Sequence, residues 1–213
     1  DGKGPFSVTS ENLRKHFRLM RDSGIKVVSL RDFIGRMERG EPYDGRVAVI
    51  TFDDGFKSMY TKMMPIAVEF GYPVTLFVYL DFVRGKSEKM LTWGDIADME
   101  KHGIDVQCHT VTHADLTKLV MKGDAASRLA LFRELYLSRR VLELKGSKPC
   151  DYIAFPYGNY NTSLIYLSRL SGYSRVFTTE FGMNAVTRDN YCLRRHHIKS
   201  NYGVDDIKKI LGI

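Results

Sequence analysis

An α/β architecture with a parallel sheet is predicted by the hydrophobic pattern, which alternates between strand and helix periods almost from end to end. Two further observations agree. Asp53, Asp54, His109, His113 and Tyr157 each stand just after a predicted strand, where parallel α/β folds build their sites. No internal repeat, low-complexity tract or Pro/Ser-rich linker interrupts the 213 residues, so a single domain over 1–213 is expected. Periodicity alone leaves open whether the βα units close into a barrel or remain an open sheet.

The elements follow in order. Thr9 or Ser10 caps a first helix whose Leu13, Phe17 and Met20 recur at i, i+4 and i+7, and Gly24 ends it. A short strand from Lys26 to Leu30 and a helix through Met37 come next, then an apolar strand from Val47 to Phe52. The helix Lys57 to Phe70 stops at Gly71, and Pro73 to Leu80 reads as a buried strand. After a polar loop from Arg84 to Lys89, a helix runs from about Thr92 to His102, and Gly103 precedes the strand Ile104 to Gln107. Leu129 to Leu144 is a long amphipathic helix. Strands at Tyr152–Phe155, Arg175–Thr179 and Cys192–Ile198 and helices at Thr162–Leu170 and Val204–Leu211 complete the chain.

With 44% hydrophobic and 27% charged residues, the composition is that of a soluble globular protein. No apolar run approaches the roughly 20 residues needed to span a bilayer. The first residue is Asp1 and no signal pattern follows it, so the chain is expected to begin inside a longer precursor or a trimmed form. A net charge of +7 admits an anionic partner, but the basic residues are scattered and lack interleaved aromatics, which argues against specific nucleic-acid binding. Cys108, Cys150 and Cys192 are too few and too widely spaced for a disulfide framework or a cysteine zinc site, and read as small buried residues near strand ends. The sequence sets no oligomeric state.

The chemistry concentrates in four segments. Asp53-Asp54-Gly55 closes an apolar strand, and two carboxylates there are costly unless a cation holds at least one of them. Alternation along a strand gives the two aspartates different directions, so one can ligate metal while the other takes a proton; a helix N-cap is the plainer role. His109 and His113 are four apart and share a face if the segment turns helically. One carboxylate plus two imidazoles makes a three-ligand divalent site with room for water. Phe155-Pro156-Tyr157-Gly158 is a turn whose backbone N–H near Tyr157 could serve an oxyanion. In Leu193-Arg194-Arg195-His196-His197, strand alternation would send one histidine inward, where it could protonate a leaving amine. His16 and His102, on helix faces, read as solvated, and Trp93 as a sugar platform or a helix anchor.

Thr51-Phe52-Asp53-Asp54-Gly55, then Leu91-Thr92-Trp93 through Met99 and Gly103 to His109-Thr110-Val111-Thr112-His113-Ala114-Asp115-Leu116, then Phe155-Pro156-Tyr157-Gly158, resemble in that order the NodB-homology polysaccharide deacetylases (carbohydrate esterase family 4). The opening helix, the stretch Val27 to Leu30 and the helix with Glu134 and Ser138 are similar too, so the resemblance runs from about Phe6 to Ile198. It implies a distorted (β/α)7 barrel. That barrel could lack its first strand, because the Tyr-His strand usually found before the opening helix is not present.

The resemblance further implies Asp53 as general base, Asp54, His109 and His113 as metal ligands, and the Tyr157 N–H as an oxyanion donor. The metal would be divalent, zinc first, with cobalt, nickel or iron as alternatives. Tyr157, Tyr160, Trp93 and Phe155 could face sugar rings. An arginine that often orients the base is replaced by Ala154, and Arg195 or Arg194 is expected to stand in, as in the branch resembling poly-N-acetylglucosamine deacetylases. His196 or His197 would be the general acid. The expected partner is an acetylated polysaccharide, met outside the cytoplasm. Rival readings are a non-catalytic carbohydrate-binding relative, an O-acetyl esterase, a two-His-one-carboxylate iron oxygenase and a metal-free structural domain.

Overall fold

The computed structural model describes residues 4–84, 87–146, 148–188 and 190–213. Part of the expected polar loop, residues 85 and 86, lies outside them. The chain runs α1 (Ser10–Asp22), β1 (Lys26–Val27), α2 (Leu30–Arg39), β2 (Val47–Ala48), β3 (Ile50–Asp54), α3 (Met64–Phe70), β4 (Val74–Val78), α4 (Leu80–Arg84), α5 (Trp93–Lys101) and β5 (Asp105–Cys108). It continues through α6 (Leu116–Lys122), α7 (Ala125–Phe132), α8 (Ser138–Lys145), β6 (Tyr152–Ala154), α9 (Thr162–Leu170), β7 (Arg175–Phe177), β8 (Cys192–Leu193) and α10 (Val204–Leu211). Two π-helical stretches, Met59–Met63 and Arg133–Leu137, lead into α3 and join α7 to α8.

β3 to β8 pair in sequence order, all parallel, and curl into a half-barrel. The strand expected from Val47 to Phe52 is divided at Val49. Its first part pairs with β1 in a separate two-stranded sheet, and its second part begins the half-barrel. Strand β8 is shorter than expected. Its ladder ends where Phe177 faces Leu193, and beyond that Arg194 N–H donates to the Asn184 side chain at 2.9 Å instead.

Local sequence accounts for most ends. The Thr9 hydroxyl accepts from Asn12 N–H at 3.2 Å and starts α1, and Thr92 with Asp95 forms a capping box on α5. All five residues of β4 are buried, as a strand covered on both faces requires. Phe77, Tyr152, Ala154, Phe177 and Leu193 meet inside the half-barrel and are closed below by Leu30, Ile34 and Met37 of α2. The larger cluster, including Phe17, Leu76, Ile96, Leu135 and Ile153, packs the helices on the outer face.

His16 is a correction. It is 5% exposed, and its Nε2 lies 3.2 Å from the Tyr202 carbonyl, because α10 packs over α1. His102 is exposed as expected, and Cys108 and Cys150 are buried. No helix among the described residues is long and apolar enough to cross a membrane.

Candidate active site

The carboxyl ends of β3 and β5 flank that of β4 and deliver the principal groups. At the end of β3 the backbone leaves the extended region, with φ of 80° at Asp54 and 106° at Gly55. A Cβ at residue 55 would stand 3.3 Å from Val78 Cγ1, so glycine lets this turn lie close against β4. Strand alternation therefore stops at Asp54, and both carboxylates serve one site.

His109 directly follows β5 and is 2% exposed. Its Nδ1 lies 2.7 Å from the Ala154 carbonyl, which can only accept, so Nδ1 carries the proton and Nε2 keeps its lone pair. That Nε2 is 3.6 Å from Asp54 Oδ1, and His113 Nε2 is 3.4 Å from the same oxygen. The expected helical turn between the histidines is absent. The segment is an irregular loop with positive φ at Thr110 (74°) and His113 (59°), and this reversal turns the second imidazole back toward the first.

The buried Glu134, delivered by the π-helical stretch, holds that loop. Its Oε2 accepts from Val111 N–H (2.8 Å) and Thr112 N–H (3.1 Å), and its Oε1 from the Thr112 hydroxyl (2.7 Å). Sequence reasoning had Glu134 only as part of a family-like helix and gave it no contact.

Ligand atoms of Asp54, His109 and His113 all lie within 4.8 Å of one another. Two donors about 2.0–2.1 Å from one ion at tetrahedral angles stand roughly 3.3–3.4 Å apart, which the Asp54–His113 and Asp54–His109 separations of 3.4 and 3.6 Å approach. Imidazole nitrogen and carboxylate oxygen are the donors a borderline divalent cation takes. Burial, with Asp53 adding its charge and the two histidines opposing, pushes the Asp54 carboxyl above its usual range. The residues fit a divalent cation.

Asp53 is held separately. Arg195 Nη1 and Nη2 donate to its two oxygens at 2.7 and 2.8 Å, while Arg195 Nε donates to the Thr178 carbonyl and Nη1 reaches the Thr51 hydroxyl. Burial would raise the Asp53 pKa, but the charges of Arg195 and His109, the Arg195 hydrogen bonds and His197 together bring it down to about 2. Arg194 instead pairs with Glu180 at 3.5 Å. Of the two arginines offered by the sequence, Arg195 is the one at Asp53.

His196 and His197 differ in surroundings. Burial and Arg195 lower the His197 pKa while Asp53 opposes them, and its ring meets Phe6 edge-on at 5.2 Å. Only burial acts on His196, whose ring packs on Phe181 at 4.1 Å with both nitrogens buried and without a partner among the described residues. These residues lie past the end of β8, so the alternation expected of a strand does not apply to them.

Tyr157 sits at φ 61° in the short 3-10 turn Pro156–Gly158, 61% exposed, with its ring 4.9 Å from that of His113. Gly158 is required beside it, because a Cβ there would fall 2.2 Å from Thr179 Oγ1. Phe155, expected to face substrate, is 1% exposed and belongs to the core, so it offers no ring face. Trp93 is half-buried and anchors α5 against the core, and Tyr160 is half-buried with its hydroxyl donating to Glu180 at 2.7 Å. Tyr79, which sequence reasoning passed over, has its ring 5.2 Å from His113 and stacks on Phe82 at 4.7 Å. It fell inside the strand expected from Pro73 to Leu80, whereas β4 ends at Val78 and leaves Tyr79 at its carboxyl end.

A parallel half-barrel of this form has known counterparts. The family model described as polysaccharide deacetylase matches residues 40–176, and the chain belongs to that family. The chain is 25% identical over 219 residues to the poly-beta-1,6-N-acetyl-D-glucosamine N-deacetylase of Escherichia coli (strain K12), covering 86% of this chain and 33% of that protein. It thus spans about a third of that relative. In structure it is similar to the Streptococcus pyogenes deacetylase PplD in complex with acetate, with TM-score 0.86, 22% identity, and 98% of this chain and 89% of that one covered. IcaB from Ammonifex degensii gives TM-score 0.84 at 20% identity, with 100% and 91% covered.

Proposed function

We propose that this chain is a divalent-metal-dependent hydrolase that removes N-acetyl groups from an amino-sugar polysaccharide of the poly-N-acetylglucosamine kind, outside the cytoplasm. The observation that carries the reading is the ligand cluster of Asp54, His109 and His113 beside an Asp53 held by Arg195. The name of the E. coli relative supports the polymer, and the family supports hydrolysis of N-acetyl groups. A non-catalytic relative was suggested by the replacement of the usual arginine with Ala154; the Arg195 clasp on Asp53 removes that reason.

A carboxylate with a pKa of about 2 is ionised at neutral pH but draws protons weakly. Its water must therefore be unusually acidic. A divalent cation bound to Asp54, His109 and His113 would lower the pKa of water from about 15.7 to about 7 and polarise a carbonyl. Asp53 accepts the proton as the water oxygen attacks the acetamide carbon. The Tyr157 N–H donates to the oxyanion that develops. Asp53, a strong acid once protonated, gives that proton up by way of His197, rather than His196, to the nitrogen as the C–N bond breaks, leaving a free amine and acetate. The Tyr157 and Tyr79 rings wall the ligand cluster and offer apolar faces to a sugar.

Acetate release from a β-1,6-linked N-acetylglucosamine oligomer tests the reading. Turnover that disappears with chelator and returns with zinc is expected. Metal-replete protein that releases no acetate from N-acetylated amino-sugar oligomers overturns it.

A further inference from the structure

A second group of charged residues lies at the other end of the half-barrel. Arg175 is the first residue of β7, Arg169 lies in the last turn of α9, and Arg188 and Tyr191 precede β8. These four line one recess of about 390 Å³. That volume falls within the range of small-molecule clefts. The catalytic groups leave the opposite, carboxyl ends of the strands, so the recess is separate from them.

The arginines are held in place but not used up. Arg169 lies over the Tyr191 ring at 4.3 Å, which fixes its plane and leaves its N–H groups with no hydrogen-bond partner among the described residues. Arg188 donates from Nε to the Glu38 carbonyl at 2.5 Å, and both its Nη groups are without a partner among the described residues. Arg175 is 8% exposed; it donates from Nη1 to the Ser174 carbonyl at 2.7 Å, and its Nε is buried with no partner among the described residues. Against three guanidinium groups, the one carboxylate within ion-pair distance among the described residues is that of Glu38, 3.4 Å from Arg175 Nη2. Three guanidinium groups around one recess repel one another. An oxyanion with several acceptor oxygens offsets that repulsion and takes up the unpaired N–H groups of Arg169 and Arg188.

We propose that this recess binds a phosphate group, either as the free ion or as the ester of a small molecule. Several equivalent oxygens and a dianionic charge suit three planar forks, and the volume leaves space beside the phosphate for an attached group. The residues are remote from Asp53 and the ligand cluster, so binding here and acetate release are separable.

The test is calorimetric titration of the full chain at 0.15 M sodium chloride, with inorganic phosphate and with glycerol 3-phosphate as separate arms. Saturable binding is expected in at least one arm; tighter glycerol phosphate binding assigns an ester, and tighter phosphate binding the free ion. In the double variant R169Q/R188Q, both positions exposed, affinity should fall at least about tenfold while acetate release is unchanged. Arg175→Gln should also lose binding; because it is buried, its melting curve is recorded alongside, and R169Q/R188Q decides the outcome if it fails to fold. A distant charge control, Lys101→Gln, should bind as the parent does. Absence of saturable binding in both arms, or equal affinity in R169Q/R188Q and the parent, overturns the proposal.

Discussion

Asp53 combines a half-buried position with a pKa of about 2, and the charge of the Arg195 guanidinium is the largest of the effects that oppose burial. Its neighbour Asp54 is pushed the other way by the same burial, because no arginine grips it. The opposite shifts suit the two different jobs proposed for these adjacent carboxylates. Asp53→Asn should keep bound zinc while acetate release falls by about 10²–10⁴-fold, read from kcat and metal content on one preparation. His113→Ala should lose both metal and turnover. Arg195→Lys keeps the charge and loses the two-pronged grip, so kcat should drop with zinc retained; an unchanged kcat would show that orientation of Asp53 is not what Arg195 supplies. Asp53, Asp54, His109 and His113 were legible in the sequence because ionisable groups after apolar strands need a physical reason to be there. Phe155 was misread because an aromatic ring beside a motif looks the same in sequence whether it faces substrate or core.

Among the elements, the irregular loop between the two histidines depends on a helix distant in sequence. The π-helical stretch brings Glu134 to it, and one carboxylate satisfies two backbone N–H groups and a hydroxyl. Glu134→Gln should weaken zinc binding by about tenfold or more, checked by competition with a chromophoric chelator. The helix pattern around Glu134 was readable. Its contact was not, because nothing local in sequence encodes a hydrogen bond across 22 or 23 positions. The docking of α10 on α1 is similar, since His16 looked exposed until Tyr202 covered it.

Burial lowers the His16 pKa below 6.5, with the Tyr202 carbonyl and Asp206 opposing. As pH falls through 6.5, the unfolded chain takes up a proton that the native state refuses, so stability is lost from there down to the native pKa. Melting temperatures between pH 7.5 and 5 should fall less steeply in His16→Gln than in the parent.

For the whole molecule, the parallel sheet and most of the helices were read correctly, the short α4 and α6 were not, and the division at Val49 and the early end of β8 come from strand pairing that no local pattern encodes. The ligand cluster joins groups from β3 and β5 across β4, so a cation there binds the folded chain alone. Zinc at about 100 times its Kd should add about 2.7 kcal/mol, or roughly 5–10 °C in Tm for a chain of this size, visible by calorimetry with and without chelator.

Among the described residues no backbone hydrogen bonds join β3 to β8, which are the two margins of the half-barrel. What crosses from one margin to the other is Arg195, anchored to Thr178 on one side and to Thr51 and Asp53 on the other. The carboxylate proposed to accept the proton thus also helps tie the two margins together. If that tie yields first, turnover in a urea series should fade at concentrations where helical ellipticity is still intact.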